Sequence, residues 1–359
     1  MTNWHIRGVV LPQGEPADMW VADGRIVDGP LQDAERIEGE YWILPGLVDA
    51  HCHIGLGEEG AVPAAVAQAQ AIAERNAGVL LVRDCGVPGD THWIDDRDDL
   101  PRIVRAGRHI ARARRYLRGV AVEVEPEQLV AEVETQARRG DGWVKLVGDW
   151  IDRSVGDLAP SFPADVAAAA IARAHELGAR VTAHCFGEQA PAELVAAGID
   201  CIEHGTGLTA DVIETMAQQG TALVPTMCNL ANFPVFAVDG EAKFPVYAAH
   251  MKDLSRRVRA TMGAAREAGV PIYSGTDAGT VLGHGWTARE IAYLGEIGDA
   301  EFALGAASWR ARTWLGHPGL DLGAPADLVA YPADPRTDLR ITAGPAFVML
   351  RGQVYVGAR

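Results

Sequence analysis

Pro45-Gly46-Leu47-Val48-Asp49-Ala50-His51-Cys52-His53 ends a run of short strand-like segments and opens a different pattern. Residues 47–51 read as a strand that finishes in histidines. Residues two apart on a strand share a face, so His51 and His53 point together while Cys52 points away. Seven more short apolar runs follow, at 79–83, 109–112, 144–147, 181–184, 201–204, 222–225 and 271–274. Ala-rich helical stretches separate most of them, at 64–76, 127–138, 164–177, 191–197, 211–218 and 248–267, while the connection 86–100 is irregular. Several helices stop at a glycine, as at Gly178, Gly198, Gly220 and Gly269, which tolerates the left-handed conformation that ends a helix. Eight strand–helix units in about 270 residues predict a (β/α)8 TIM barrel of the α/β class. The alternative is an open doubly wound sheet, but no G-x-G-x-x-G follows the first strand.

Outward from this middle, the two ends look alike. Residues 1–45 hold short strands and a hairpin turn at Asp23-Gly24. Residues 318–359 hold strands at 327–331, 347–350 and 354–356, with a turn at Arg351-Gly352. The expectation is one small β-sandwich formed by both chain termini (1–45 and 318–359) carrying the barrel of 46–317.

The 359 residues include 48 Asp and Glu against 32 Lys and Arg, a formal charge of −16. Nucleic-acid binding needs basic patches, so this balance argues against it. The Arg-rich stretch 102–118 is bracketed by acidic residues. No apolar run approaches the roughly 20 residues that span a bilayer, and the N-terminus lacks the basic start and apolar core of a signal peptide. Five scattered cysteines without a C-x-x-C pair point to a reduced, cytoplasmic compartment. The expected partner is a small molecule with a carbonyl group, with neither nucleic acid nor membrane; a homo-oligomer is compatible, although no interface signal stands out.

Barrel enzymes place their sites at the C-terminal ends of the strands, and chemistry-bearing residues recur there. His51 and His53 form a natural metal clip, although H-x-H alone is a weak signal. Lys145 lies inside the apolar strand Trp143-Val144-Lys145-Leu146-Val147. Such a lysine is either neutralised by a nearby carboxylate or carbamylated, since burial disfavours the ammonium and a neutral amine adds carbon dioxide. His184 and His204 each close a strand, as hydrogen-bonded structural residues or as ligands. Asp277, in Ser274-Gly275-Thr276-Asp277-Ala278-Gly279, caps a turn, binds metal or takes a proton. Chance is a poor account of so many such residues at successive strand ends.

These motifs resemble the amidohydrolase superfamily. The likeness rests on the 45–53 stretch, Lys145, His184, Ile202-Glu203-His204-Gly205 and Gly275-Thr276-Asp277-Ala278-Gly279. Val82-Arg83-Asp84, His284-Gly285 and Gly323-Ala324-Pro325-Ala326-Asp327-Leu328 extend it over nearly the whole chain. It is closest to the branch with a carbamylated lysine and two metals, which holds prolidase-like and imidazolonepropionase-related amide hydrolases. The resemblance implies that His51, His53 and Asp277 hold the more buried metal, His184 and His204 the more exposed one, and carbamylated Lys145 bridges both. Zinc suits these imidazole and oxygen ligands best, with manganese, iron or cobalt as alternatives. A metal-bridging hydroxide would be the nucleophile, because coordination lowers the pKa of water from ~15.7 to about 7. Asp277 would act as general acid and base while the exposed metal polarises the carbonyl.

The chain also departs from that branch. The Tyr that often follows the seventh strand is missing from Pro225-Thr226-Met227-Cys228-Asn229, where Asn229 is a candidate replacement donor. The Gly-Gly-His stretch after the third strand is replaced by residues 111–118. The expectation is therefore hydrolysis of an amide-type C–N bond in a small molecule. A lactonase, deaminase, decarboxylase or isomerase on the same barrel is the alternative, as is a non-catalytic relative. Lys145 speaks against a mononuclear deaminase, and a full ligand set against the last. Loop candidates for substrate contact are His92, Trp150, His284 and Trp286. Arg114, Arg115 and Arg118 either meet a substrate carboxylate or form a solvated ion-pair face. Arg83 and Asp84 read as a structural pair, and Cys52, Cys185 and Cys201 as core.

Overall fold

Leu47–Cys52, Val79–Asp84, Trp143–Val147 and Cys201–His204 are buried along their whole length, which explains why these segments read as continuous apolar runs rather than alternating ones. The structure, a computed structural model, describes residues 2–357. Leu47–Cys52, Val79–Asp84 and Arg102–Arg105 form one parallel ladder. A second parallel ladder runs Val122–Val124, Ile110–Arg112, Trp143–Val147, Arg180–Cys185, Cys201–His204 and Ala222–Val224. The chain passes from the first ladder to the second between Arg105 and Ile110, so the third strand expected at 109–112 begins earlier and is broken in the middle.

Residues 271–274 lie at the other margin. The Leu223 N–H donates to the Pro271 carbonyl at 2.8 Å and the Tyr273 N–H to the Leu223 carbonyl at 3.0 Å. The Ala50 N–H donates to the Ser274 carbonyl at 2.8 Å. The result is a TIM-barrel-like α/β fold whose sheet consists of two ladders joined by single bridges. Helices pack outside through small residues. Ala164–Glu176 buries Ala167, Ala170, Ile171 and Ala174, the spacing of one helical face.

Strands from both ends of the chain form a single seven-stranded sheet. Its order is Gln353–Gly357, Phe347–Leu350, Leu328–Tyr331, Glu35–Pro45, Trp4–Val10, Glu15–Ala22 and Arg25–Val27. The ends meet where Leu328–Tyr331 pairs antiparallel with residues 42–45. Ile6, Ile43, Leu328 and Phe347 share one buried cluster there. The buried Arg312 guanidinium ties this sheet to the barrel, donating to the Gly46 carbonyl at 3.1 Å and the Pro318 carbonyl at 2.8 Å. Three elements not expected from the sequence follow the central strands. They are the hairpin Asp149–Asp152 with Asp157–Pro160, and the helices Met227–Leu230 and Phe233–Glu241. No helix among the described residues is long and apolar enough to cross a membrane.

Candidate metal centre

The segment after residue 271 approaches the first strand without side chains between them. A Cβ on Gly275 would sit 2.7 Å from the His51 backbone nitrogen, and one on Gly279 would sit 2.7 Å from the His53 Cβ. Glycine at both places lets Asp277 reach the histidine pair. Asp277 Oδ1 lies 3.2 Å from His51 Nε2 and 3.0 Å from His53 Nε2, while its Oδ2 accepts from Asn229 Nδ2 at 2.6 Å. Asp49, buried beneath, holds the approach: its carboxylate accepts from the His51 N–H at 3.1 Å, the Thr276 N–H at 3.0 Å and the Thr276 hydroxyl.

His204 and Asp277 both adopt left-handed backbone, with φ of 66° and 61°. A non-glycine residue there costs about 1–2 kcal/mol, and such strain gathers at functional sites. His204 turns its Nδ1 to the Thr226 hydroxyl at 2.7 Å. Its ring centroid is 4.7 Å from that of His184 and 5.1 Å from that of His51. Ligand atoms of His51, His204 and Asp277 all fall within 4.8 Å of one another. Lys145, 1% exposed, and His184, 4% exposed, present buried nitrogens, Nζ and Nε2, that find no hydrogen-bond partner among the described residues, the Asp149 carboxylate standing 3.9 Å from His184 Nε2. A buried polar atom without a partner is costly, so two in one cluster point to a group that satisfies them. Imidazoles, a carboxylate and a lysine form a donor set that fits divalent cations.

The local electrostatics favour the neutral form at three of the four histidines, whereas His51, although burial lowers it, is raised well above its usual value by Cys85, Asp277 and Glu203 around it. Burial lowers the pKa of His184 to about 3, with Lys145 adding to the effect, and holds His53 below its usual value and His204 well below it. Neutral imidazoles are the form that binds metal. Burial raises the pKa of Asp277, yet the adjacent His51 and His53 outweigh it and keep the carboxyl well below the usual carboxylate range.

His51 is oriented from behind. Its Nδ1 meets Glu203 Oε2 at 2.7 Å, and Glu203 Oε1 accepts from Arg83 at 2.6 Å and from the Thr182 hydroxyl. This corrects the expected Arg83–Asp84 pair. Arg83 pairs with Glu203 across the barrel, whereas Asp84 accepts the Gly86 N–H at 2.6 Å. Side chains alternate along the Val79–Asp84 strand, so neighbours cannot face each other. Glu203 was open to the same argument as Lys145, a charged residue inside an apolar strand.

A cavity of about 380 Å³ opens onto His53, His184 and Asp277. Trp150 and Asn229 line it, but the other three loop candidates do not. His284 turns away toward the first helix, where its Nδ1 lies 2.9 Å from the buried Glu74 carboxylate. Trp286 is 36% exposed and stacks under Arg289. His92 pairs with Asp90 at the surface. Loop geometry, which a motif does not encode, separates these from the cavity. Two residues not singled out in sequence stand in it instead. His109 packs its ring 5.1 Å from that of His53, and Tyr116 stands 5.3 Å from His109 and 5.9 Å from His184. Only the position of His109 at the start of a strand hinted at it.

Residues 42–354 match the model of the amidohydrolase family. The chain belongs to the amidohydrolase family. That membership makes it a hydrolase by family. Uncharacterized proteins of Mycobacterium tuberculosis and Mycobacterium bovis are each 57% identical over 353 residues, covering 98% of this chain and 95% of their own. Solved structures share the fold at lower identity. A Xaa-Pro dipeptidase with bound methionine in the active site superposes with a TM-score of 0.83 at 23% identity, covering 99% of this chain and 100% of that one. A prolidase complexed with N-methylphosphonate-L-proline gives 0.80 at 22% identity, over 100% of each chain. The ochratoxinase of A. niger gives 0.78 at 20%, over 99% and 96%.

Proposed function

We propose that this amidohydrolase cleaves an amide-type C–N bond of a small carbonyl compound with the help of two divalent cations, zinc being the best suited. His51, His53 and Asp277 would hold one, His184 and His204 the other, and Lys145, carbamylated, would bridge them. Bound there, such ions supply an acidified water and a Lewis acid for the scissile carbonyl. The catalytic unit is the barrel of residues 46–317, carried on the sheet made by 1–45 and 318–359. Five free, buried cysteines suit the reducing cytoplasm.

The chain's own residues divide the remaining work. Asp277, held anionic, accepts the proton of the attacking water and returns it to the leaving nitrogen. Asn229 fixes that carboxylate through its 2.6 Å bond, which uses one of the two protons on its amide nitrogen. Tyr116 takes the carbonyl-facing place. Its hydroxyl has no partner among the described residues, and its ring borders the cavity beside His184. A free donor aimed where charge develops on oxygen stabilises the transition state.

The observation that carries this reading is Lys145 Nζ, buried and without a partner amid the histidines. Lys145→Ala should lower bound metal from two equivalents per chain toward none and abolish hydrolysis, read by elemental analysis and product mass spectrometry on one sample. A Lys145→Ala protein with two metals and the wild-type rate would end the carbamate reading. A screen of N-acyl amino acids, dipeptides, cyclic amides and lactones tests the bond type, since hydrolysis adds one water to the mass.

A further inference from the structure

The cavity beside the metal centre is built for apolar contact. Away from the candidate ligands its walls include Trp150 and Ile151 of the 149–160 hairpin, Phe186 after its strand, Phe236 and Phe244 of the helical segment after residue 226, and Val281 of the loop after Asp277. Its volume of about 380 Å³ falls in the usual range of small-molecule sites.

A substrate carboxylate would need a cation within this space. The expected arginine candidates do not provide one. Arg115 is buried, but its guanidinium donates to the carbonyls of Pro160 at 2.9 Å, Trp150 at 3.1 Å and Ala159 at 2.8 Å, with Asp152 3.4 Å away. It braces the hairpin that carries Trp150. Arg114 and Arg118 are exposed and do not line the cavity. Lys243 is the one lysine or arginine among the described lining residues, and it is solvent-exposed, its Nζ 5.4 Å from the Phe244 ring. Asp239 also lines the cavity and would oppose an anion.

We propose that the substrate is an uncharged amide bearing an aromatic group, not a dipeptide or N-acyl amino acid whose carboxylate must be buried. This rests on the reading of the site as an amide hydrolase and names the substrate class it accepts. The aromatic walls bury a ring with favourable edge and face contacts, whereas a carboxylate in the same place loses its water and meets no buried lysine or arginine among the described lining residues.

The test uses the zinc-loaded full chain and an isosteric pair, N-phenylacetyl-phenylalanine and its primary carboxamide, which differ only in the charge of one terminal group. Binding is read by titration calorimetry and hydrolysis by initial rates. The carboxamide should bind tighter by on the order of 100-fold, the penalty for an unpaired buried carboxylate, with kcat/KM shifted the same way. Phe244→Ala should weaken carboxamide binding by about tenfold through the lost aromatic contact. Equal or tighter binding of the carboxylate overturns the inference while leaving amide hydrolysis standing. Tight binding of the carboxamide without cleavage of either compound does the reverse. Failure of both to bind, or indifference of the carboxamide to Phe244→Ala, also overturns the inference.

Discussion

His51 is set by both of its ring nitrogens, Nε2 facing Asp277 and Nδ1 held by Glu203. Such an arrangement fixes the tautomer, because a carboxylate at Nδ1 keeps the proton there and leaves Nε2 as the lone-pair donor. Glu203 in turn is the partner of the fully buried Arg83. Glu203→Gln therefore has two effects that separate by measurement. Metal affinity should fall by about 10–100-fold, as loss of an outer partner typically does, read by chelator competition. Stability should fall by about 3–5 kcal/mol because a buried guanidinium loses its counter-charge, read by denaturant unfolding. Tyr116 is different, since its hydroxyl supports nothing in the folded chain. Tyr116→Phe should lower kcat by about 10²-fold, the usual cost of one oxyanion donor, while KM, metal content and melting temperature stay near wild type. A change confined to KM would make Tyr116 a packing surface alone.

At the scale of elements, the strand ends were legible because their signals are local. A period of two places His51 and His53 on one face, and a lysine within an apolar run stands out without knowledge of its neighbours. The helical segment after residue 226 carried no such mark, because its placement depends on a residue sixty positions away. The Glu290 carboxylate, on the helix Thr287–Leu294, accepts the N–H groups of Met227 and Cys228 at 2.8 Å each, at the start of the short helix that presents Asn229 to Asp277. Burial raises the Glu290 pKa from 4.5 to about 7 despite these donors. The unfolded chain ionises near 4.5, so between those values the native state binds the additional proton, and this residue's contribution to stability falls as pH rises. Comparing wild type with Glu290→Gln by urea unfolding, the stability difference should move against wild type by about 3 kcal/mol between pH 4 and pH 8. Parallel pH curves would mean that the carboxyl titrates in the folded protein as it does in the unfolded chain.

For the whole molecule, alternation of strand and helix was enough to expect a barrel, and the likeness of the two chain ends was enough to expect that they meet. What was out of reach is the pairing itself: one seven-stranded sheet, entered by the first four of its strands before the barrel and the last three after it. That connectivity makes the C-terminal segment part of the core. Leu328–Tyr331 and Phe347–Leu350 are buried at every position, and the former pairs with residues 42–45, directly before the strand that carries His51 and leads into His53. Each large apolar side chain left without its cover costs about 1.5–3 kcal/mol, and several lost together exceed the 5–15 kcal/mol that holds a typical domain folded. The unpaired margin of Glu35–Pro45 would also offer its free N–H and carbonyl groups to another chain. A chain ending at residue 317 should therefore aggregate on size-exclusion chromatography and lack near-ultraviolet circular dichroism, even with all six candidate ligands present. Recovery of that fragment as a metal-loaded monomer would show that the barrel folds without the sheet, and that the ends serve some purpose other than completing its foundation.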